Sequence, residues 1–306
     1  MKKINFYVFL VIFSVCAEGI VYYLASALYR PRVPCQNCRM NTGRSAQGAG
    51  AAAPAGREFT VDYEQDVTME PYFPADLVFK GTTWNDIFQE RGESYAAYRS
   101  GYKEGSAVRS IRIIPVRFKT AADGAILQQT RDFLEAAFSS KVSIQKGIEL
   151  PGGSYDGARK QYDAGRILSG LLQNPWVHRR SNLNVVLIKD DMYARDLNYV
   201  FGYADYVHHV SVVSLYWLRA RDKDLAQRRI LKIVRHEVAH MYGLVHCTAP
   251  YCVMRGVNSL DELDASTLSL CNACASKLAW RLGDDGAARA RALGKFYLSA
   301  FPGFFR

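Results

Sequence analysis

No internal repeat runs through this 306-residue chain, which excludes architectures assembled from stacked units. Nor is there an RNA- or DNA-binding signature, although a net charge of +10 and a pI near 9.2 would suit an anionic partner. The basic residues are dispersed, in stretches such as Arg228-Arg229 and Arg289 to Arg291. They read as a solvated basic surface, and no nucleic-acid partner is expected. The poverty in apolar residues that marks a disordered chain is also missing. At 49% hydrophobic the chain has material for one large domain or two small ones with a real core.

A full-length membrane span is absent from the first apolar run. Residues 4–15 (INFYVFLVIFSV) follow the basic start Met1-Lys2-Lys3 and suit the h-region of a secretory signal. Small residues for cleavage stand at Val15-Cys16-Ala17 and Ala25-Ser26-Ala27. The competing reading is an uncleaved anchor over residues 4–29, with Glu18 costly in mid-membrane. The expected location is therefore secreted or extracytoplasmic, or membrane-anchored through residues 4–29. Residues 30–58 form a Gly/Ala-rich linker too poor in large apolar groups to order itself. It carries Cys35-Gln-Asn-Cys38, which lacks a thioredoxin context and stays open between a redox pair, half a metal site and a short-loop disulfide.

Residues 59–105 hold aromatics without clean periodicity and read as an N-terminal extension; residues 106–306 read as the catalytic domain. Within that domain, 111–116, 142–150 and 183–188 are expected strands, and 125–138 and 162–172 expected helices. Such alternation predicts an α/β (α+β) fold around a mostly parallel sheet. The alternating run 209–217 is expected as an edge strand, with 211–216 the segment against which an extended substrate pairs.

Chemistry concentrates in residues 236–252, HEVAHMYGLVHCTAPYC, at the end of a helical run over 225–241. Ile230, Ile233, Val234, Val238 and Met241 recur on one face of that run. His236 and His240, four residues apart, stack on one side of a helix and can chelate one zinc without distorting the backbone. Glu237 projects a quarter-turn away, placed to take a proton from water. Gly243 lets the chain leave the helix, and the turn brings His246 round as a third ligand. A fourth position left to water makes this a catalytic site rather than a structural one. H-E-x-x-H alone arises by chance; with the further glycine and histidine it is the metzincin signature. Cys247, Cys252, Cys271 and Cys274 follow in two close pairs, suiting a closed tetrahedral zinc site, with two disulfides as the alternative in an oxidising compartment.

On HEVAHMYGLVHC, Cys252-Val-Met254 and Cys271-Asn-Ala-Cys274, the chain resembles the archaemetzincin family of metallopeptidases. Weaker likeness extends upstream through Tyr155 to Tyr162 and Leu197 to Ala204, covering about residues 108 to 283. The resemblance implies a zincin or metzincin-like fold: a twisted sheet, an active-site helix and a small C-terminal Cys/zinc subdomain. It implies two zincs per chain, one on His236, His240 and His246 and one on the four cysteines, with Met254 as the Met-turn residue. It further implies peptide or protein substrates, Glu237 as general base, and aminopeptidase action as one form of the activity. The competing function is a catalytically weak, zinc-stabilised binding module at a membrane surface. His208 and His209 read as a strand-end pair rather than ligands, and no tyrosine among Tyr216, Tyr242 and Tyr251 singles itself out as an oxyanion donor.

Overall fold

The computed structural model describes residues 70–305, apart from 77, 109 and 178–180. The expected signal or anchor, the linker with Cys35 and Cys38, and residues 59–69 of the extension lie outside the described residues. In chain order the helices are α1 (Trp84–Phe88), α2 (Tyr95–Gly101), α3 (Ala121–Phe138), α4 (Ala164–Leu172), α5 (Lys223–Met241), α6 (Leu260–Asp264), α7 (Asn272–Leu282) and α8 (Ala287–Ala300). The strands are β1 (Ser110–Pro115), β2 (Lys141–Ile144), β3 (Tyr155–Asp156), β4 (Gln161–Asp163), β5 (Leu183–Ile188), β6 (Met192–Tyr193), β7 (Gly202–Asp205) and β8 (Val210–Ser214).

The main sheet runs β2-β1-β5-β8-β7. Its first four strands are parallel, and β7 lies antiparallel to β8. β5, Leu-Asn-Val-Val-Leu-Ile, is buried at all six positions, as a central parallel strand with helices on both faces must be. Because successive side chains alternate across a strand, the sheet feeds two cores. Ile111, Ile113, Leu183, Val185 and Leu187 pack with Phe133 and Leu134 of α3 and Leu231 and Val234 of α5. Ile114, Val186, Ile188 and Val212 pack with Ile167 and Leu168 of α4.

The substrate edge expected at 211–216 is corrected. β8 is buried throughout and bonded on both sides, to β5 and to β7, so the strand at that margin is β7. The alternation misleads because Ser211 and Ser214 are themselves buried, Ser214 donating its hydroxyl to the carbonyl of Asp190 at 2.7 Å.

A second correction concerns the charges. The polar side of α5 is not solvated: Arg228 and Lys232 meet Asp76 at 2.7 and 2.9 Å, Arg229 meets Asp264 at 2.5 Å and Arg235 meets Glu70 at 2.5 Å. All four cationic residues are buried, as is Arg289 beside Asp284. Part of the basic composition is thus spent inside the molecule. Residues 70–105 supply two of those acids and also join the main core through Phe73 and Tyr98, both fully buried.

Candidate metal centre

α5 starts on Asp222, whose carboxylate accepts from the backbone N–H groups of Asp224 and Leu225. This nineteen-residue helix delivers His236, Glu237 and His240 to its C-terminal end. The chain leaves through Gly243, at φ +89°, a left-handed conformation that side chains resist. A Cβ at that position would also lie 2.2 Å from the phenolic oxygen of Tyr102. Gly243 N–H donates back to the His240 carbonyl at 2.8 Å and Leu244 N–H to that of Ala239 at 3.1 Å. The reversal carries His246 toward the first two histidines. It is then pinned by Cys247 N–H donating to the carbonyl of the fully buried Met254 at 2.8 Å.

The three imidazoles converge. Ring centroids of His236 and His240 stand 4.5 Å apart, and each is 5.1 Å from His246. One nitrogen from each lies within 4.8 Å of the others, and the Nε2 atoms of His236 and His240 approach to 2.9 Å. Every Nδ1 is engaged on the outside: His236 with the Val253 carbonyl at 2.8 Å, His240 with that of Leu244 at 2.7 Å, His246 with Glu90 at 2.7 and 2.8 Å. An acceptor at Nδ1 keeps the proton there and leaves the Nε2 lone pair for a metal. Burial, then the neighbouring His246, drives His236 down to about 3; burial and both neighbouring rings hold His240 well below the usual range. His236 and His240 are therefore neutral imidazoles, the form that binds zinc.

Burial has the opposite effect on the acid between them, pushing the Glu237 carboxyl up to about 8. That side chain packs over Gly202 of β7, where an added Cβ would lie 2.2 Å from its Oε1. The helix and the marginal strand meet at the residue best placed for proton transfer.

The four thiols expected as a second cluster also come together, with sulfurs within 4.8 Å of one another. They are unbridged: Cys247 and Cys271 sulfurs stand 3.7 Å apart, against about 2.0 Å for a disulfide. Backbone N–H groups of Ala249 and Cys271 donate to the sulfurs of Cys247 and Cys252, each at 3.4 Å. Hydrogen bonds from the other three thiols hold Cys247 below the usual thiol range. Four converging sulfurs would complete a tetrahedral set and fit a closed zinc site, as three imidazoles fit an open one.

His208 pairs with Asp205 at 2.8 Å, away from the triad. Of the three tyrosines, Tyr242 is turned into the core and donates to the Val108 carbonyl at 2.9 Å, Tyr216 carries Arg219 on its face, and Tyr251 is exposed against Tyr72. Sequence reasoning missed Glu90 and Trp84, the latter edge-on to His246 at 5.5 Å. Both come from the aperiodic aromatic stretch, more than 150 residues upstream of His246, and no local pattern marks them. Gly202 was equally silent.

Comparison with known proteins agrees with this geometry. Residues 154–280 match the family described as peptidase family M54. The chain is 32% identical over 145 residues to the archaemetzincin of Archaeoglobus fulgidus, covering 47% of this chain and 86% of that protein. It is 30% identical over 176 residues to the archaemetzincin of Haloarcula marismortui, covering 54% and 96%. The crystal structure of archaemetzincin from Methanopyrus kandleri superposes with a TM-score of 0.51 at 28% identity, over 56% of this chain and 94% of that one.

Proposed function

This chain belongs to the archaemetzincins, a family of zinc metallopeptidases, and from that premise we propose that it hydrolyses peptide bonds at a zinc held by His236, His240 and His246, with Glu237 as general base. The observation that carries the reading is the outward engagement of all three Nδ1 atoms, which leaves the Nε2 atom of each converging ring for one metal. Zinc bound there supplies Lewis acidity that polarises the scissile carbonyl and acidifies water.

The remaining steps belong to the chain. Glu237 takes the proton of the attacking water on a carboxylate oxygen and passes it to the departing amine nitrogen. One carboxylate serves both directions of that transfer. β7 offers the marginal strand beside Glu237, and an extended substrate pairing with its backbone would lie across the triad with little demand on side-chain identity. Cys247, Cys252, Cys271 and Cys274 hold a second zinc that ties the turn after His246 to the start of α7, Cys271 standing at its N-cap. The family resemblance supports removal of N-terminal residues as the form of the activity. The basic start and the apolar run at 4–15 support an extracytoplasmic or membrane-anchored setting.

Replacing Glu237 by Gln tests the assignment. Zinc content should stay at the wild-type value while hydrolysis of a peptide library, read by mass spectrometry, falls roughly 10²–10⁴-fold. A Gln variant that cleaves at the wild-type rate removes Glu237 from the role.

A further inference from the structure

The family match begins at residue 154, yet four residues between 84 and 102 touch the turn that carries the third histidine. Tyr98 donates its hydroxyl to the Tyr242 carbonyl at 2.7 Å. Tyr102 occupies the space a side chain at Gly243 would need. Trp84 stands edge-on to His246 and lies so close to Gly256 that a Cβ there would sit 2.3 Å from its indole. These three contacts hold backbone and ring. Glu90 alone among them reaches a ligand nitrogen, with both carboxylate oxygens within 2.8 Å of His246 Nδ1.

The three histidines are thus supported unequally. His236 and His240 are oriented by the carbonyls of Val253 and Leu244, which the fold fixes in place. His246 has no backbone acceptor at Nδ1 and leans on a side chain 156 residues away in sequence. We infer that Glu90 is the positioning residue for the third ligand, accepting the Nδ1 proton of His246 so that Nε2 faces the metal. The inference rests on the reading of His246 as a zinc ligand. An ionised carboxylate at Nδ1 also raises the basicity of the imidazole, an effect a neutral carbonyl produces less strongly. The competing explanation is that Glu90 and His246 merely fasten α1 to the body of the protein.

Zinc affinity of the full chain, measured by competition with a chromophoric chelator, separates the two. Glu90→Ala should weaken the more labile zinc by roughly 10–100-fold and leave the tighter one unchanged. Glu90→Gln, which keeps an acceptor and loses the charge, should fall between, and it decides the matter if the Ala variant does not fold. Melting temperatures of the zinc-free proteins should match wild type, which a mere fastening role would not allow. His246→Ala is the reference and should lose the labile zinc altogether. Unchanged affinity in both Glu90 variants, with His246→Ala devoid of that zinc, overturns the positioning role and leaves the site intact. Affinity and zinc-free melting temperature falling together would assign Glu90 to fastening. Retention of both zincs by His246→Ala would overturn the ligand reading itself, and this inference with it.

Discussion

Glu237 and His236 are buried, with His240 partly buried beside them, and burial acts on acid and imidazoles with opposite signs because it disfavours whichever form is charged. In the metal-free protein this makes a pH dependence with a definite direction. An unfolded Glu237 releases its proton near 4.5, whereas the folded one holds it up to about 8. Between those values the native state binds the extra proton, so stability falls as pH rises. His236 titrates the other way: its folded value of about 3 lies below the ordinary 6.5, so its contribution is lost as pH falls through that interval. Comparing wild type with Glu237→Gln cancels the histidine part. Metal-free Glu237→Gln should gain stability over wild type progressively from pH 5 to pH 8, by at most about 1.4 kcal/mol per pH unit. Urea midpoints across that range check it, and a constant offset between the proteins would mean that the carboxyl is not held neutral by the fold.

At the scale of elements, α5 packs along β7 and the two meet at Gly202 and Glu237. Gly202 gives the Glu237 carboxyl its seat, since a Cβ there would come within 2.6 Å of the acid's Cγ and Cδ as well. Gly202→Ala therefore displaces Glu237, the proposed general base, while sparing every histidine. Zinc content should be unchanged and turnover should drop roughly 10²-fold, the cost of an ångström-scale misplacement; turnover at the wild-type level would show that the acid works from another position. The elements differ in how far their sequences disclose them. The strand at 183–188 and the helix ending at Met241 were readable because each carries its own apolar pattern, and the histidine and cysteine spacings because their partners are local. β7 is four half-buried residues, Gly-Tyr-Ala-Asp, with no alternation to mark it. The edge was therefore assigned to its neighbour β8, whose two buried serines imitate a solvated face.

For the molecule as a whole, what the sequence concealed is the layer formed by residues 70–105. Its hydrogen bonds to the body, from side chains and from the backbone N–H groups of Asp76 and Gly105, reach across 144 to 200 residues, and pattern reading within a window cannot register them. That layer closes the side of α5 opposite its apolar face with carboxylates, Glu70 against Arg235 and Asp76 against Arg228 and Lys232. The arrangement commits the fold to its own extension. Arg235 is fully buried one residue before His236, and its Nη2 meets Glu70 at 2.5 Å; Glu70 also accepts from the Leu270 N–H at 3.2 Å and lies 3.7 Å from Arg289. A buried pair adds little when intact but exposes a large cost when halved, because the surviving charge has neither partner nor water. Glu70→Ala should accordingly destabilise the protein by about 3–5 kcal/mol, seen as a lower urea midpoint with an unchanged denaturant slope. The same change should leave the zinc affinity of the fraction that remains folded near wild type, since Glu70 supports the helix and not a ligand ring. A loss under about 1 kcal/mol, the scale of an exposed pair, would mean that Arg235 finds water or another acid once Glu70 is gone, and that the extension covers the helix without being required by it.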